Sequence, residues 1–249
     1  MLSSKRQCTT ILLCLLVLPA LHGCLFTRVM QTRAQLCDAQ PSTVIVQREP
    51  GRALRVVFEA PTLTDRDIIW IVGLQPSAIT ATGAGRELSY EALPLGRPRD
   101  RETALVLRLS FVQLRGDYRL SGVELPERFT SILPPQLVET AMKVVCRSQV
   151  DILSRSVKFN LADVDTAALP RRDDLAQLLG PPTAAIARTN EISYHYCLAP
   201  CTSESTLVAK LIFSFKTNGE LQRAQARYLR YSASIDLDST KPTGMIHLH

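Results

Sequence analysis

One short segment contains residue types that bind metals or form disulfides, because His195 lies close to Cys197 and Cys201. A zinc site usually takes about four ligands, with roughly two to four residues between paired cysteines. After the N-terminal segment, the only other histidines are His247 and His249, at the end of the chain. One histidine beside two cysteines therefore favours a local disulfide over zinc, and we predict no metal.

The residues needed for a catalytic centre are scarce. Acid–base and nucleophilic catalysis usually needs a histidine or an equivalent base. We expect His195 to project from a strand toward solvent, because Ile192, Tyr194 and Tyr196 take the opposite face. The pair Asp173-Asp174 fits the start of a helix. The sequence also has no G-x-S-x-G elbow, H-E-x-x-H helix or phosphate loop. We predict that the protein is not an enzyme and has no cofactor.

The first residues are typical of an export signal. Lys5 and Arg6 form a short positive region, which the apolar run from Ile11 to Leu21 follows. A helix of that length is about 16 Å long, too short for a bilayer core of about 30 Å. We therefore predict that residues 1–23 are a cleaved signal peptide and that no later segment crosses a membrane.

The signal ends in the run Leu21-His22-Gly23-Cys24. This run resembles the lipobox of bacterial lipoproteins: an aliphatic, a variable and a small residue before the acceptor cysteine. The resemblance implies that the Cys24 thiol is diacylated, with palmitate among the chains, and that cleavage precedes it. Leu25 would be the second mature residue, which by resemblance to enterobacterial lipoproteins implies sorting to the outer membrane. The alternative is an ordinary signal peptide with a chance cysteine.

The composition is that of a folded globular chain. Of the 249 residues, 46% are hydrophobic and 21% are charged, which argues against disorder and against a multi-span membrane protein. Lys and Arg number 29 and Asp and Glu 23, for a net charge of +6. Removal of Lys5 and Arg6 leaves 27 minus 23, or +4. The predicted compartment, rather than this charge, excludes nucleic acid as a partner.

Four cysteines remain after the signal and the lipid acceptor: Cys37, Cys146, Cys197 and Cys201. An even number in an oxidising compartment predicts two disulfides. Three connectivities are possible. Cys197–Cys201 is the local candidate, which leaves Cys37–Cys146 as the long-range candidate.

Two stretches of the chain match in order, about a hundred residues apart. The matched segments include Cys37-Asp-Ala-Gln40 with Cys146-Arg-Ser-Gln149, Asp67-Ile-Ile-Trp-Ile-Val-Gly73 with Asp174-Leu-Ala-Gln-Leu-Leu-Gly180, and Glu87-Leu-Ser-Tyr90 with Glu191-Ile-Ser-Tyr194. Each match alone carries little weight, but the shared order predicts a duplication. We expect a lipid-anchored linker at 24–36, one unit at 37–145 and a second at 146–249.

Each unit is predicted to be α+β: a β-hairpin, a short helix and an antiparallel three-stranded meander. Asp65 and Asp67 begin the first helix and Gly73 ends it, while Asp173-Asp174 and Gly180 do the same in the second. We predict strands with one buried face at four segments: Thr43–Val46, Leu54–Phe58, Ala104–Leu114 and Leu207–Lys216. One further helix is predicted at the end of the first unit, at Gln136–Val145. Arg115-Gly116-Asp117 and Asn218-Gly219 are predicted hairpin turns.

A family resemblance covers Asp174 to Gln225. A short helix ends in Leu179-Gly-Pro-Pro-Thr183, and the aromatic strand Ile192-Ser-Tyr-His-Tyr196 follows it. A Phe-rich strand, an Asn-Gly turn and a return strand complete the pattern. The segment resembles the SmpA/OmlA family, the small lipoprotein of the outer-membrane barrel-assembly machine. The wider fold includes the β-lactamase-inhibitory proteins, which are tandem repeats of such a unit.

Together these features predict a non-catalytic lipoprotein of the outer membrane that faces the periplasm and binds another envelope protein. The candidate contact surface is a basic–aromatic cluster on the last predicted strand, formed by Arg223, Arg227, Tyr228 and Arg230. The cluster would touch a partner or anionic lipid, or else protect a solvated edge strand. The alternatives are a carrier or sensor of a small amphiphile and an inhibitor of a periplasmic enzyme.

Overall fold

The computed structural model describes residues 25, 27–37, 44–47, 54–95, 104–125, 140, 143–144, 146–151, 153–162, 164–165, 169–186, 190–198 and 207–249. The predicted signal peptide and Cys24 lie outside these residues.

Three helices are present in the described part of the chain. They are α1 at residues 27–37, α2 at Asp65–Val72 and α3 at Arg172–Leu179. Residues 140, 143, 144 and 146 are also helical, in line with the helix predicted at Gln136–Val145. Helix α1 occupies most of the interval 24–36, where the sequence indicated a linker. It packs against the protein body through Leu25 and Leu36.

The strands of the first half are β1 Val44–Gln47, β2 Leu54–Phe58, β3 Ala78–Thr82, β4 Gly85–Pro94, β5 Leu105–Leu114 and β6 Asp117–Leu125. Strands β4, β5 and β6 form the predicted antiparallel meander, and β1 and β2 form the predicted hairpin. Strand β6 returns to pair with β2. The short strand β3, which was not predicted, pairs with β4.

The strands of the second half are β7 Gln149–Asp151, β8 Ser156–Asn160, β9 Ala184–Ile186, β10 Glu191–Leu198, β11 Leu207–Phe215, β12 Leu221–Tyr228, β13 Tyr231–Asp236 and β14 Thr243–Leu248. Strands β10 to β14 form a meander of five strands, where three were expected. Strand β14 pairs with β8 of the β7–β8 hairpin, and β9 pairs with β10. The C-terminal residues that look like a tail in the sequence are thus two more strands.

The two halves share one sheet. Strand β4 pairs antiparallel with β10, and the sheet order is β1-β2-β6-β5-β4-β10-β11-β12-β13-β14-β8-β7. Leu93 lies opposite Cys197 at this junction, and both are buried, as is Tyr196. The α+β class is confirmed, with a single antiparallel sheet as its frame.

The helices and the two main clusters of buried apolar side chains lie on one face of the sheet, the helix face. In the first half α2 contributes Ile68 to a core with Leu88, Tyr90 and Phe111. The second core is made of these residues: Leu175, Leu178 and Leu179 of α3, with Ile192, Tyr194, Tyr196 and Phe215. The register puts the two groups on the same side, because Tyr196 lies opposite Pro94 and successive side chains alternate. No helix among the described residues covers the other side, which we call the open face.

Helix α2 begins and ends as predicted, and the structure adds an N-cap residue that the sequence analysis did not name. Thr64 is its N-cap: the Asp67 backbone N–H donates to Thr64 Oγ1 at 3.2 Å, and the Thr64 N–H donates to Asp67 Oδ2 at 2.8 Å. This reciprocal pair satisfies two free helix N–H groups. Gly73 ends the helix with φ 75° and ψ 11°, a left-handed conformation that costs a residue with a Cβ more than it costs glycine.

Candidate functional site

The long-range disulfide is confirmed. Cys37, the last residue of α1, is bonded to Cys146, and their Cα atoms are 5.1 Å apart. Arg33 of α1 also reaches this region, where Nη2 donates to the carbonyl oxygen of Ser148 at 2.8 Å. The bond closes a sequence separation of 109 residues, which in the chain-entropy model stabilises the fold by about 5 kcal/mol. It therefore ties α1 to the boundary between the two halves.

Cys197 is also disulfide-bonded, and Cys201 lies outside the described residues. A disulfide sulfur is not a thiolate, so Cys197 in this state is not a zinc ligand. Within the described ranges, no group of three or more His, Cys, Asp or Glu side chains is placed to hold a metal ion. His195 is half-buried and its Nε2 atom is shielded from solvent, so it is less exposed than the sequence indicated.

The predicted basic–aromatic cluster is divided between two faces. Strand β12 is not the last strand and not an edge, because β11 and β13 pair with its two sides. The edge-strand interpretation is therefore wrong. Arg223 and Arg227 lie on the open face, whereas Tyr228 lies on the helix face and Arg230 in the β12–β13 turn. The four residues are close in the sequence but do not form one surface.

Arg230 and Tyr231 help to join the halves. Arg230 Nη2 donates to the carbonyl oxygen of Trp70 at 2.9 Å, and its guanidinium lies 4.8 Å from the centre of the Trp70 ring. Tyr231 Oη donates to the carbonyl oxygen of Ile71 at 2.8 Å. Burial raises the pKa of Tyr228 to about 12, helped by the nearby Tyr90 and Tyr231. The β12–β13 turn thus satisfies carbonyl groups at the end of α2, which otherwise lack helical partners.

On the open face of the first half, cations and carboxylates alternate. Arg108 lies opposite Glu124, and Nη1 donates to Glu124 Oε1 at 2.9 Å. Its Nε is 3.9 Å from Glu87 Oε1 on the other neighbouring strand. Glu124 in turn lies opposite Arg55 on β2. The charges of this region compensate one another.

On the open face of the second half, two cations face each other. Lys210 lies opposite Arg227, and the same row continues with Ser232 and His247. In the described part of the chain, neither Lys210 nor Arg227 has an ion-pair partner. They line a shallow depression of about 410 Å³ whose described lining contains no carboxylate: Lys210, Ile212, Gln225, Ala226, Arg227, Ser232, Ala233, Ser234, Met245 and His247. We call this the basic depression.

A second depression beside it has a different character. Its described lining carries three carboxylates, Glu191, Asp236 and Asp238, with a single cation, Arg223. Arg223 Nη2 donates to Asp236 Oδ2 at 3.1 Å, and this bond is the main reason that the pKa of Asp236 is lowered. The two depressions therefore differ in charge although they lie on the same strands.

The sequence singled out Arg227 but missed Lys210, Ser232 and His247. These residues share a row only through the pairing of four strands, and no single segment contains the signal. The only signal of this site in the sequence was that β11 and β12, two strands joined by a tight turn, each carry a cation on the exposed side.

Comparison with known proteins gives no relative: no family model matches, and neither a curated protein nor a solved structure is similar to the chain. Within the described ranges, none of the helices is both long enough and apolar enough to cross a membrane.

Proposed function

We propose that the protein is a non-catalytic lipoprotein of the bacterial outer membrane, facing the periplasm, that docks onto another envelope protein. The observation that carries this proposal is the open face, which has no helix on it in either half among the described residues and is interrupted only at the β4–β10 junction, where Leu93 and Cys197 are buried. Half-exposed sheets offer docking by face or by edge. The short strand β3 adds an edge, since all five of its residues are exposed and only β4 pairs with it.

The start of the body supports anchoring through Cys24. Leu25, the residue after this cysteine, is already helical and packs against the first core, and α1 is attached to the body by Arg28, Arg33 and the Cys37–Cys146 bond. Consecutive Cα atoms are about 3.8 Å apart, so an anchored body would lie against the bilayer. Val29 and Met30 of α1 are among the exposed apolar side chains, which suits contact with lipid.

We further propose that the two halves are related units. In each, a hairpin is followed by a helix, a short strand and a meander whose last strand pairs with the second hairpin strand. The shared order supports the duplication suggested by the sequence matches, with two strands added to the second meander. The part of this order that runs from the helix to the meander is what the resemblance to the SmpA/OmlA and β-lactamase-inhibitory proteins leads us to expect, whereas the hairpin before each helix departs from the small members of that family.

The test is crosslinking in living cells, followed by capture of the tagged full-length protein. The tag needs a spacer after His249, because Ser232 Oγ and His249 Nε2 form a hydrogen bond of 2.7 Å. Cys24→Ser is the matched control, since it removes only the lipid acceptor. We expect reproducible crosslinks to barrel-assembly or other envelope proteins, and their loss in Cys24→Ser. Recovery of the protein without any partner would overturn the docking proposal.

Anchoring has its own readout. Labelling of growing cells with a palmitate analogue should mark the wild-type protein and leave Cys24→Ser unmarked. Label in both proteins, or in neither, would remove the lipoprotein proposal while leaving the docking proposal open to the crosslinking result.

The carrier and the inhibitor remain alternatives without a specific observation in their favour. A carrier of a small amphiphile needs an enclosed apolar cavity, whereas the depressions described above are shallow and open to solvent.

A further inference from the structure

The basic depression contains an electrostatic conflict that the rest of the open face avoids. Lys210 and Arg227 are directly opposite on β11 and β12, a placement that destabilises a sheet when the charges are alike. Neither cation has an ion-pair partner in the described part of the chain. Elsewhere on this face Arg108 pairs with Glu124 and Arg223 with Asp236. Two directly opposed cations without a carboxylate partner therefore distinguish this place on the sheet.

We propose that the basic depression is a binding site for a phosphate group. A guanidinium presents two parallel N–H donors that match the oxygens of a phosphate, and a lysine ammonium adds a point charge. An anion placed between Lys210 and Arg227 would turn their repulsion into two attractive contacts. A carboxylate takes the corresponding place in the first half, where Glu124 lies between Arg108 and Arg55.

The neighbouring side chains supply further donors. Gln225, Ser232 and Ser234 line the depression, and their amide and hydroxyl groups donate hydrogen bonds. Ile212 and Met245 line it as well, and their apolar surface reduces the screening of the charges by water. Several donors, two cations and no carboxylate form a set suited to an oxyanion that carries more than one charge.

The neighbouring depression explains why the site is confined. Glu191, Asp236 and Asp238 line it, and they repel a phosphate. Arg223 is on the same strand and face as Arg227, but its guanidinium is bonded to Asp236. Arg223 is therefore the matched control: an equally cationic side chain on β12 that is already occupied.

Phosphate groups reach such a site either as free small anions or as lipid headgroups, and the chemistry of recognition is the same. A free anion needs only the donors of the depression. A phospholipid headgroup also uses the apolar side chains of Ile212 and Met245, and so binds more tightly than inorganic phosphate. The relative affinity of the two ligands separates the sources.

The experiment uses the full-length protein in dodecyl maltoside, a detergent without phosphate, at constant ionic strength. Inorganic phosphate and dihexanoylphosphatidylglycerol below its micelle concentration are titrated separately by calorimetry. We expect saturable binding of at least one of them to the wild-type protein and to Arg223→Gln. Lys210→Gln and Arg227→Gln should each bind about tenfold more weakly, the typical loss of one charge-assisted contact.

Lys210→Glu sharpens the test, because it installs the compensated arrangement of the first half. We expect this variant to keep its thermal midpoint or raise it, and to lose phosphate binding. The midpoint reports on folding, so lost binding in a folded variant is assigned to the site.

Three results would overturn the proposal. They are the absence of saturable binding of either ligand to the wild-type protein, equal weakening in Arg223→Gln, and unchanged binding in both Lys210→Gln and Arg227→Gln. Saturable binding of an acidic peptide in place of either phosphate ligand would reassign the depression to a protein partner. None of these results bears on anchoring through Cys24, which the palmitate label tests separately.

Discussion

The two halves of this sheet have similar strand pairings but different charges on their open faces. In the first half Arg108 lies between Glu87 and Glu124 and forms ion pairs with both. In the second half Lys210 faces Arg227 with no carboxylate in the depression that they line. The difference teaches that a shared backbone arrangement does not determine the function of a surface. The first region resembles an ordinary solvated sheet, and the second a site for an anion.

The helices that cover the two halves differ in the same way. Helix α2 has polar contacts in addition to the packing of Ile68: Asp67 is bonded to Arg28, and Asp65 forms an ion pair with Arg86. Helix α3 is held by three buried leucines, and at its start Asp174 accepts from the Arg171 N–H at 2.8 Å. We therefore expect substitutions of charged residues to matter at α2 and substitutions of apolar residues to matter most at α3.

The largest expected effect is at α3. Leu178 is 6% exposed and has only apolar packing to lose, so Leu178→Ala should lower the free energy of unfolding by about 3 kcal/mol. Urea unfolding followed by circular dichroism measures this change. The exposed neighbour Gln177 is the control, and Gln177→Ala should change stability by less than about 0.5 kcal/mol. Equal effects of the two variants would contradict the packing described for α3.

A smaller loss is expected when the charged contact of α2 is removed. Arg28 donates to the two oxygens of Asp67 at 2.7 and 2.6 Å, and Asp67 is buried. Arg28→Ala leaves that carboxylate without its cation and should cost about 2 kcal/mol. At α3, Arg171→Ala should be nearly neutral, because the backbone of Arg171 rather than its side chain makes the helix contact. A neutral Arg28→Ala would show that α2 does not depend on this pair.

Low pH should weaken the same contact. Burial raises the pKa of Asp67, but the bonds from Arg28 and Thr64 outweigh burial and hold it below its usual value of 3.8. The resulting stabilisation is fully present above pH 3.8 and is lost as the pH falls through the lower pKa of the folded state. The loss should be smaller than that of Arg28→Ala, because a protonated Asp67 keeps part of its hydrogen bonding.

Urea unfolding of the wild-type protein and Asp67→Asn between pH 6 and pH 2.5 measures this dependence. The difference in stability between the two proteins should shrink as the pH falls. A constant difference would show that Asp67 has the same pKa in the folded and unfolded states.

The contact between the halves gives a smaller effect. Arg230→Ala removes one hydrogen bond to α2 and the stacking on Trp70, and should cost about 1 kcal/mol. Arg227→Ala, three residues earlier on the open face, should not destabilise the protein. If both variants behaved alike in thermal unfolding, Arg230 would belong to the surface with Arg227, as the sequence indicated.

The smallest effect is expected on the compensated open face. Glu124→Gln removes an exposed ion pair with Arg108 and should change stability by less than about 0.5 kcal/mol. This difference should disappear in about 1 M salt, where exposed charges are screened. A loss that persists in salt would show that Arg108 and Glu124 contribute more than an exposed pair.

Several strands and helices of this protein are predictable from its sequence, because they depend on the spacing of apolar residues and on the residues at helix ends. Alternating apolar residues predict β5 and β11, and Asp67 with Gly73 predicts the limits of α2. Helix α1 was missed for an equally local reason. It is short and follows the long apolar run of the signal, so its amphipathic spacing does not stand out.

The candidate site was only partly predictable, because it depends on which strands lie side by side. Arg223, Arg227, Tyr228 and Arg230 are close in sequence, yet alternation along β12 and the following turn send them to different places. In a β-strand, the side chains of neighbouring residues point to opposite faces of the sheet.

The sequence by itself determined the α+β class, the hairpin turns and the limits of α2 and α3, and it named Cys37–Cys146 as one of the possible cysteine pairs. These follow from backbone preferences and from which side chains avoid water. Only the tertiary structure decided that β4 joins β10, that β13 and β14 extend the second meander, and that Lys210 faces Arg227. Register between strands is set by the packing of the whole sheet, and no single segment contains that information.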